Sequence, residues 1–341
     1  MANPAGRKIE CMGDVVVITG ASGGIGRATA RRFARDGARL ALLARGRAGL
    51  EGAAREVEEL GGTALVIPTD VADPDQVEAA AERAESEYGP IDVWINDAMA
   101  TIYSEFLDIE PDEFRRATDV TYHGMVWGTR AALRRMSKRN RGAIVQVGSA
   151  LAFRGIPLQA AYCGAKAAGK NFTESVITEI EHNGWDVHVA MVHIAAFNTT
   201  QFTWGRTKLP KQTQPVPPIY QPEIAADAIH WAAYHHRRRV YVGLPTVLNV
   251  LGEHVSPRFL DWYLAKTGYG SQITDQPLDP TDHDNLFEPV DDDEDRGSHG
   301  PFDDRAHEHS LQTTLTKHRR LAGSVAAGVG AATGAVLLRK R

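Results

Sequence analysis

Cysteine is nearly absent from this chain: two occur in 341 residues, Cys11 and Cys163. Two cysteines this far apart make neither a disulfide framework nor a zinc site. Folding must therefore rest on an apolar core, and a reducing, cytoplasmic setting is expected. Charge of one sign is not in large excess either. The net charge of -5 gives no general attraction to nucleic acid. The one local basic run, His235 to Arg239, reads as a solvated helix end. His182, His188 and His193 lack metal-ligand spacing, so no metal is expected. Long hydrophobic runs are scarce. The opening MANPAGRKIE has no apolar centre of the sort a secretion signal needs, and reads as a polar lead-in to the first strand.

What the chain does have is a series of short apolar runs. Val15–Ile18, Leu40–Leu43, Ala64–Ile67, Ile91–Ile95, Ala143–Val147 and Val187–Val192 are six, and Val240–Val242 is a weaker seventh. Helical stretches such as Pro74–Tyr88, Asp112–Lys138 and Tyr162–His182 lie between them. Continuous apolar strands alternating with helices predict a parallel sheet covered on both faces. With right-handed crossovers this is an α/β fold, a Rossmann-type doubly wound sheet, occupying about residues 9–250 as a single domain. Gln212–Pro222 holds four prolines and is expected as a loop over the active site rather than a central strand.

Thr19-Gly20-Ala21-Ser22-Gly23-Gly24-Ile25-Gly26 falls between the first strand and the first helix. Glycine suits a sharp turn, a close approach to pyrophosphate and tight helix–sheet packing, and the helix N-terminus offers free N–H groups to phosphate. Gly20, Ser22, Gly24, Ile25 and Gly26 are thus expected to bind a dinucleotide. The second strand ends in Ala44-Arg45, with no carboxylate for ribose hydroxyls. Arg45 can pair with a 2′-phosphate, with Arg27 adding to the positive field, so NADP is expected over NAD. Arg45 can also be read as an ordinary exposed arginine that starts a helix. Asp70, at the end of the third strand, is placed to accept from the adenine amino group or to cap the following helix, a job for which Asp73 is better placed.

Ser149 follows the fifth strand, at the sheet edge where open α/β proteins bind ligands. Tyr162 lies 13 residues later and Lys166 four beyond it, on one face of a helix. Hydride transfer to a carbonyl leaves an alkoxide that needs a proton. A tyrosine supplies it if a nearby ammonium favours tyrosinate. Ser149 would hold the substrate oxygen, and Lys166 the nicotinamide ribose.

In this combination the chain resembles the short-chain dehydrogenase/reductase family over about residues 12–250. The matching elements are Thr19–Gly26, Asp70-Val71, Asn96-Asp97-Ala98, Ser149 and Tyr162-Cys163-Gly164-Ala165-Lys166. The resemblance implies reversible oxidation of alcohols with NAD(P), a homo-oligomer, Asn96 beside the cofactor and Thr199 near the nicotinamide carboxamide. Three departures mark a divergent subgroup. Asp97 and Met99 replace an amide and a glycine of the family's NNAG segment, Thr121 replaces the Asn of a proton relay, and Ala195-Ala196 replaces Pro-Gly. Phe197, Phe202 and Trp204 fall where the family carries its substrate lid, and read equally as pocket lining or as core and oligomer contacts.

The primary expectation is an NADP(H) oxidoreductase acting on a fairly apolar alcohol or ketone. The alternative is a catalytically weakened NADP(H)-binding sensor or scaffold. After a helical extension at 251–275, residues 276–316 are acidic and polar, with Asp291-Asp292-Asp293-Glu294-Asp295, and predict a disordered linker. Leu321–Leu338 is an uncharged Ala/Gly/Val run flanked by basic residues within 317–341, read either as a membrane-contacting helix or as a disordered tail.

Overall fold

The computed structural model describes residues 13–278 and 283–318. Seven parallel strands form the central sheet: β1 (Val15–Thr19), β2 (Arg39–Ala44), β3 (Thr63–Pro68), β4 (Val93–Asn96), β5 (Gly142–Ser149), β6 (Val187–Ile194) and β7 (Arg239–Val242). Their spatial order is β7-β6-β5-β4-β1-β2-β3, so the direction of winding reverses beside β1. The switch opens a crevice at the C-terminal strand ends.

The strands are apolar on both faces because both faces are covered. Val16 and Ile18 point into one core with Leu40 and Leu42, while Val15 and Val17 point into the other with Ala41 and Leu43. The first core is closed by α1 (Gly24–Ala34), α2 (Arg47–Glu59) and, further along the chain, a helix at Pro222–Tyr234. The second is closed by α3 (Pro74–Tyr88), α4 (Pro111–Thr118), α5 (Gly124–Arg139) and α6 (Ala160–Asn183). Asp73 caps α3 by accepting from the N–H groups of Asp75 and Gln76, with Pro74 next in the first turn.

The stretch expected as one helix from Asp112 to Lys138 is divided. A π-helical turn, Asp119–His123, joins α4 to α5. Such turns mark local strain near functional sites. Thr121 lies in it, and its hydroxyl both accepts from the Ala100 N–H and donates to the Ala100 carbonyl, each at 2.9 Å.

The acidic segment departs most from expectation. Its described part, 283–318, folds back along the body instead of running free. Leu286 is fully buried in the second core. Ala306–His307 pairs in parallel with Ile219–Tyr220, which in turn pairs with Ala196–Phe197. The proline-rich 212–222 region thus supplies the middle strand of a small three-stranded sheet outside the central one. Arginines on the body draw the acidic side chains in, and this long-range pairing is invisible to composition. Among the described residues no helix is long and apolar enough to cross a membrane, and Leu321–Leu338 lies outside them.

Candidate active site and nucleotide cleft

The crevice beside β1 is lined by the glycine turn, the ends of β2, β4, β5 and β6, Tyr162 and Lys166, and the loop from Ala195 to Gly205. Gly20 adopts φ +74°, and a Cβ there would lie 2.9 Å from the Ala98 Cα. A Cβ on Gly26 would strike the Gly20 carbonyl. Both glycines are therefore packing requirements. The Thr19 hydroxyl accepts from the N–H groups of Asp97 (3.1 Å) and Ala98 (3.2 Å), locking the end of β4 to the turn.

The first turn of α1 has neither a side-chain cap nor an acidic residue. Free N–H groups at such a helix start suit an anion. Two residues stand over this turn. Thr199 lies against Gly24, and the Thr200 hydroxyl lies against Gly23, buried and without a hydrogen-bond partner. A buried orphan hydroxyl costs free energy unless something accepts from it. A phosphate oxygen at the turn would do so, and the residues present therefore fit a dinucleotide. Sequence reasoning singled out Thr199 but missed Thr200.

The three expected catalytic side chains converge. Ser149 ends β5, and its hydroxyl interacts with Tyr162, one turn into α6. The Lys166 ammonium lies 5.6 Å from the Tyr162 ring centroid and donates to the Val147 carbonyl at 2.7 Å. Burial raises the Tyr162 phenol above its ordinary range, with the Ser149 hydrogen bond opposing. Burial pulls Lys166 down to about 8, with the Asp97 charge opposing. Asp97, in the position of an amide in the resembled motif, is raised to about 7 by burial against the pull of Lys166 and a hydrogen bond from the Gly26 N–H. Behind Ser149, fully buried His193 hydrogen-bonds the Ser149 carbonyl through Nδ1 at 3.3 Å, and burial lowers it to about 3. It is a neutral support for the end of β5.

Other expected residues behave differently. Asn96 does not reach the cleft: its side chain points under the sheet, accepting from Trp94 Nε1 and donating to Thr129 and Gln146. In a strand buried on both faces, polarity does not reveal which side faces the ligand. Asp70 lines the cleft, where it pairs with Arg116 at 2.8 Å and accepts from the Ala72 N–H. Arg45 also lines the cleft, but its guanidinium already donates to the carbonyls of Asn285, Leu286 and Phe287. Arg27 is buried between Glu56 and Asp295. Of the lid aromatics, Phe197 is buried against Tyr220, Phe202 packs tilted against Tyr103 and edge-on against Phe302, and Trp204 lies on the glycine turn.

Residues 14–209 match the model of the short chain dehydrogenase family. The chain belongs to that family. Its members' NAD(P)-dependent dehydrogenase/reductase activity is the class of this enzyme. An uncharacterized oxidoreductase, YxnA, of Bacillus subtilis is 32% identical over 92% of this chain and 88% of its own length. The human protein named 17-beta-hydroxysteroid dehydrogenase 13 is 31% identical over 52% of this chain and 59% of its own. A metagenomic short-chain oxidoreductase solved in complex with NADP superposes with a TM-score of 0.58 at 25% identity, over 69% of this chain and 98% of that one.

Proposed function

We propose that this short-chain dehydrogenase moves a hydride between a nicotinamide nucleotide and a fairly apolar alcohol or carbonyl compound, with Tyr162 as acid/base. The observation that carries the reading is that Tyr162 and Lys166 line the cleft that contains the phosphate turn, with the ammonium 5.6 Å from the Tyr162 ring and the Ser149 hydroxyl beside the phenol. When bound, the nucleotide supplies the hydride or accepts it. Ser149 holds the substrate oxygen. Tyr162 gives that oxygen a proton during reduction and takes one during oxidation. Lys166 stabilises the tyrosinate, and its depressed pKa keeps it near the point of proton exchange at neutral pH.

Apolar walls formed by Met99, Ala100, Val147 and Phe197 support an apolar substrate, as does the steroid dehydrogenase among the relatives. The case for NADP rests on Arg45 and on the solved NADP complex of a family member. Since the Arg45 guanidinium is engaged by three carbonyls, the proposed chemistry covers either nucleotide. A panel of apolar ketones and aldehydes is assayed by loss of NADH and NADPH absorbance. Turnover in the wild type, reduced at least about 100-fold in Tyr162→Phe, is expected. Equal rates in the two proteins would remove Tyr162 from the mechanism.

A further inference from the structure

Helix α2 begins directly after the end of β2, where dinucleotide folds read the adenosine ribose. Gly46, Gly49 and Gly52 recur every three residues along it and leave one face without side chains. The acidic segment lies in that groove. A Cβ on Gly46 or Gly49 would strike the Asp291 carboxylate, and one on Gly52 would strike Asp295. Main-chain bonds set the position. The Asp291 carbonyl accepts from the Gly49 N–H at 3.0 Å, and the Asp292 carbonyl accepts from the Ala48 N–H at 3.1 Å. The Asp292 carboxylate accepts from the Arg47 N–H at 3.0 Å. Leu286 anchors the segment upstream, and Asp295 on Arg27 anchors it downstream.

Two consequences meet at one place. The two arginines that the sequence offered to a 2′-phosphate both have partners already, Arg45 three carbonyls of this segment and Arg27 the carboxylates of Glu56 and Asp295. A carboxylate absent from the end of β2 now arrives from 247 positions beyond Ala44, since Asp291 lines the same cleft as Ser22, Ala44 and Arg45. Among the described residues no hydrogen-bond donor reaches its side-chain oxygens. Its carboxylate is mostly buried against the bare glycine face of α2, at the wall of the nucleotide cleft.

We propose that Asp291 is the specificity-determining residue for the nucleotide: it accepts from the ribose hydroxyls of NAD(H) and repels the 2′-phosphate of NADP(H). The inference rests on reading the cleft as a nicotinamide-nucleotide site, and it reverses the preference that Arg45 alone would give. A neutral hydroxyl donates to a carboxylate, whereas a phosphate brings like charge against it. Because the docked segment is held by main-chain bonds and by Leu286, replacing the Asp291 side chain leaves its position intact.

The test measures dissociation constants of the full chain for NAD+, NADP+, 5′-AMP and 2′,5′-ADP by isothermal titration calorimetry. The two fragments report the adenosine end without any turnover. Wild type is expected to bind NAD+ and 5′-AMP at least about ten times more tightly than their 2′-phosphorylated counterparts. Asp291→Asn and Asp291→Ser are expected to swing both ratios toward the phosphorylated ligands by roughly ten- to a hundredfold. A purely structural role for Asp291 would shift the melting temperature and leave the ratios alone, which overturns the proposal. So does tight NADP+ binding by wild type. Failure of all four ligands to bind strikes the nucleotide reading itself, whereas either of the other adverse results leaves it standing.

Discussion

Replacing Leu286 with alanine is the sharpest structural perturbation available, because it attacks the acidic segment at its one fully buried aliphatic side chain. The substitution removes three carbons. At about 0.8 kcal/mol per buried carbon the transfer loss alone is roughly 2.4 kcal/mol. The cavity left in the second core adds to this, placing the variant within the range of about 2–5 kcal/mol seen for buried Leu→Ala changes. The loss need not unfold the whole chain. The segment's other anchors are polar, so it is expected to lift off locally at a smaller cost than global unfolding. Hydrogen–deuterium exchange followed by mass spectrometry reads this directly. In wild type the amides of Ala48 and Gly49 donate to the segment and are expected to exchange slowly. In Leu286→Ala they should exchange at least about tenfold faster, together with 285–295, while β1 and β4 keep their protection. Fast exchange of 285–295 in wild type, unaltered by the substitution, would show that the segment is not docked and would refute the reasoning.

Other expectations follow from the same contacts. Gly26→Ala drives a methyl into the Gly20 carbonyl, so nucleotide affinity should fall at least about tenfold in a fluorescence titration; unchanged affinity would contradict the packing. Asp97 has a folded-state pKa of about 7 against 3.8, so the native state holds a proton that the unfolded chain releases between those values. Its contribution to stability is therefore full at acid pH and is lost as pH rises toward 7. Asp97→Asn should flatten that slope in urea denaturation, and an unchanged slope would show that Asp97 titrates normally. Lys166 is depressed to about 8 from 10.5, so the unfolded chain binds the extra proton between those values and stability should rise with pH across that window. Lys166→Met should abolish the rise and cut turnover. Asp295→Ala leaves buried Arg27 with one carboxylate, Glu56, in place of two, which should lower stability by about 1–3 kcal/mol in denaturant melts.

Much of the site was legible because it is local. The glycine turn is contiguous, Tyr162 and Lys166 are one helical turn apart, and Ser149 ends an apolar run that could only be a buried strand. The apolar runs placed the central strands for the same reason, since each is buried on both faces. What escaped was long-range or directional. The Arg27–Asp295 pair spans 268 positions, and a run of five acidic residues looks solvated until its cations are located. The Gly46, Gly49, Gly52 repeat was the available signal, a helix face kept bare for something to lie on. Asn96 shows the limit of the period-two rule, which says that neighbours alternate but not which face holds the ligand. Thr200 had no motif to announce it. Only its burial beside Gly23 without a partner singles it out.

The central claim is that Tyr162 completes a hydride transfer in this cleft. Reduced nucleotide carrying deuterium at the transferable position of its nicotinamide ring tests it most directly, with the alcohol product analysed by mass spectrometry. Wild type is expected to place one deuterium on the former carbonyl carbon at each turnover, and Tyr162→Phe to yield almost no labelled product while still binding the nucleotide. Product formed without the label, or formed as fast by the variant, would contradict the account.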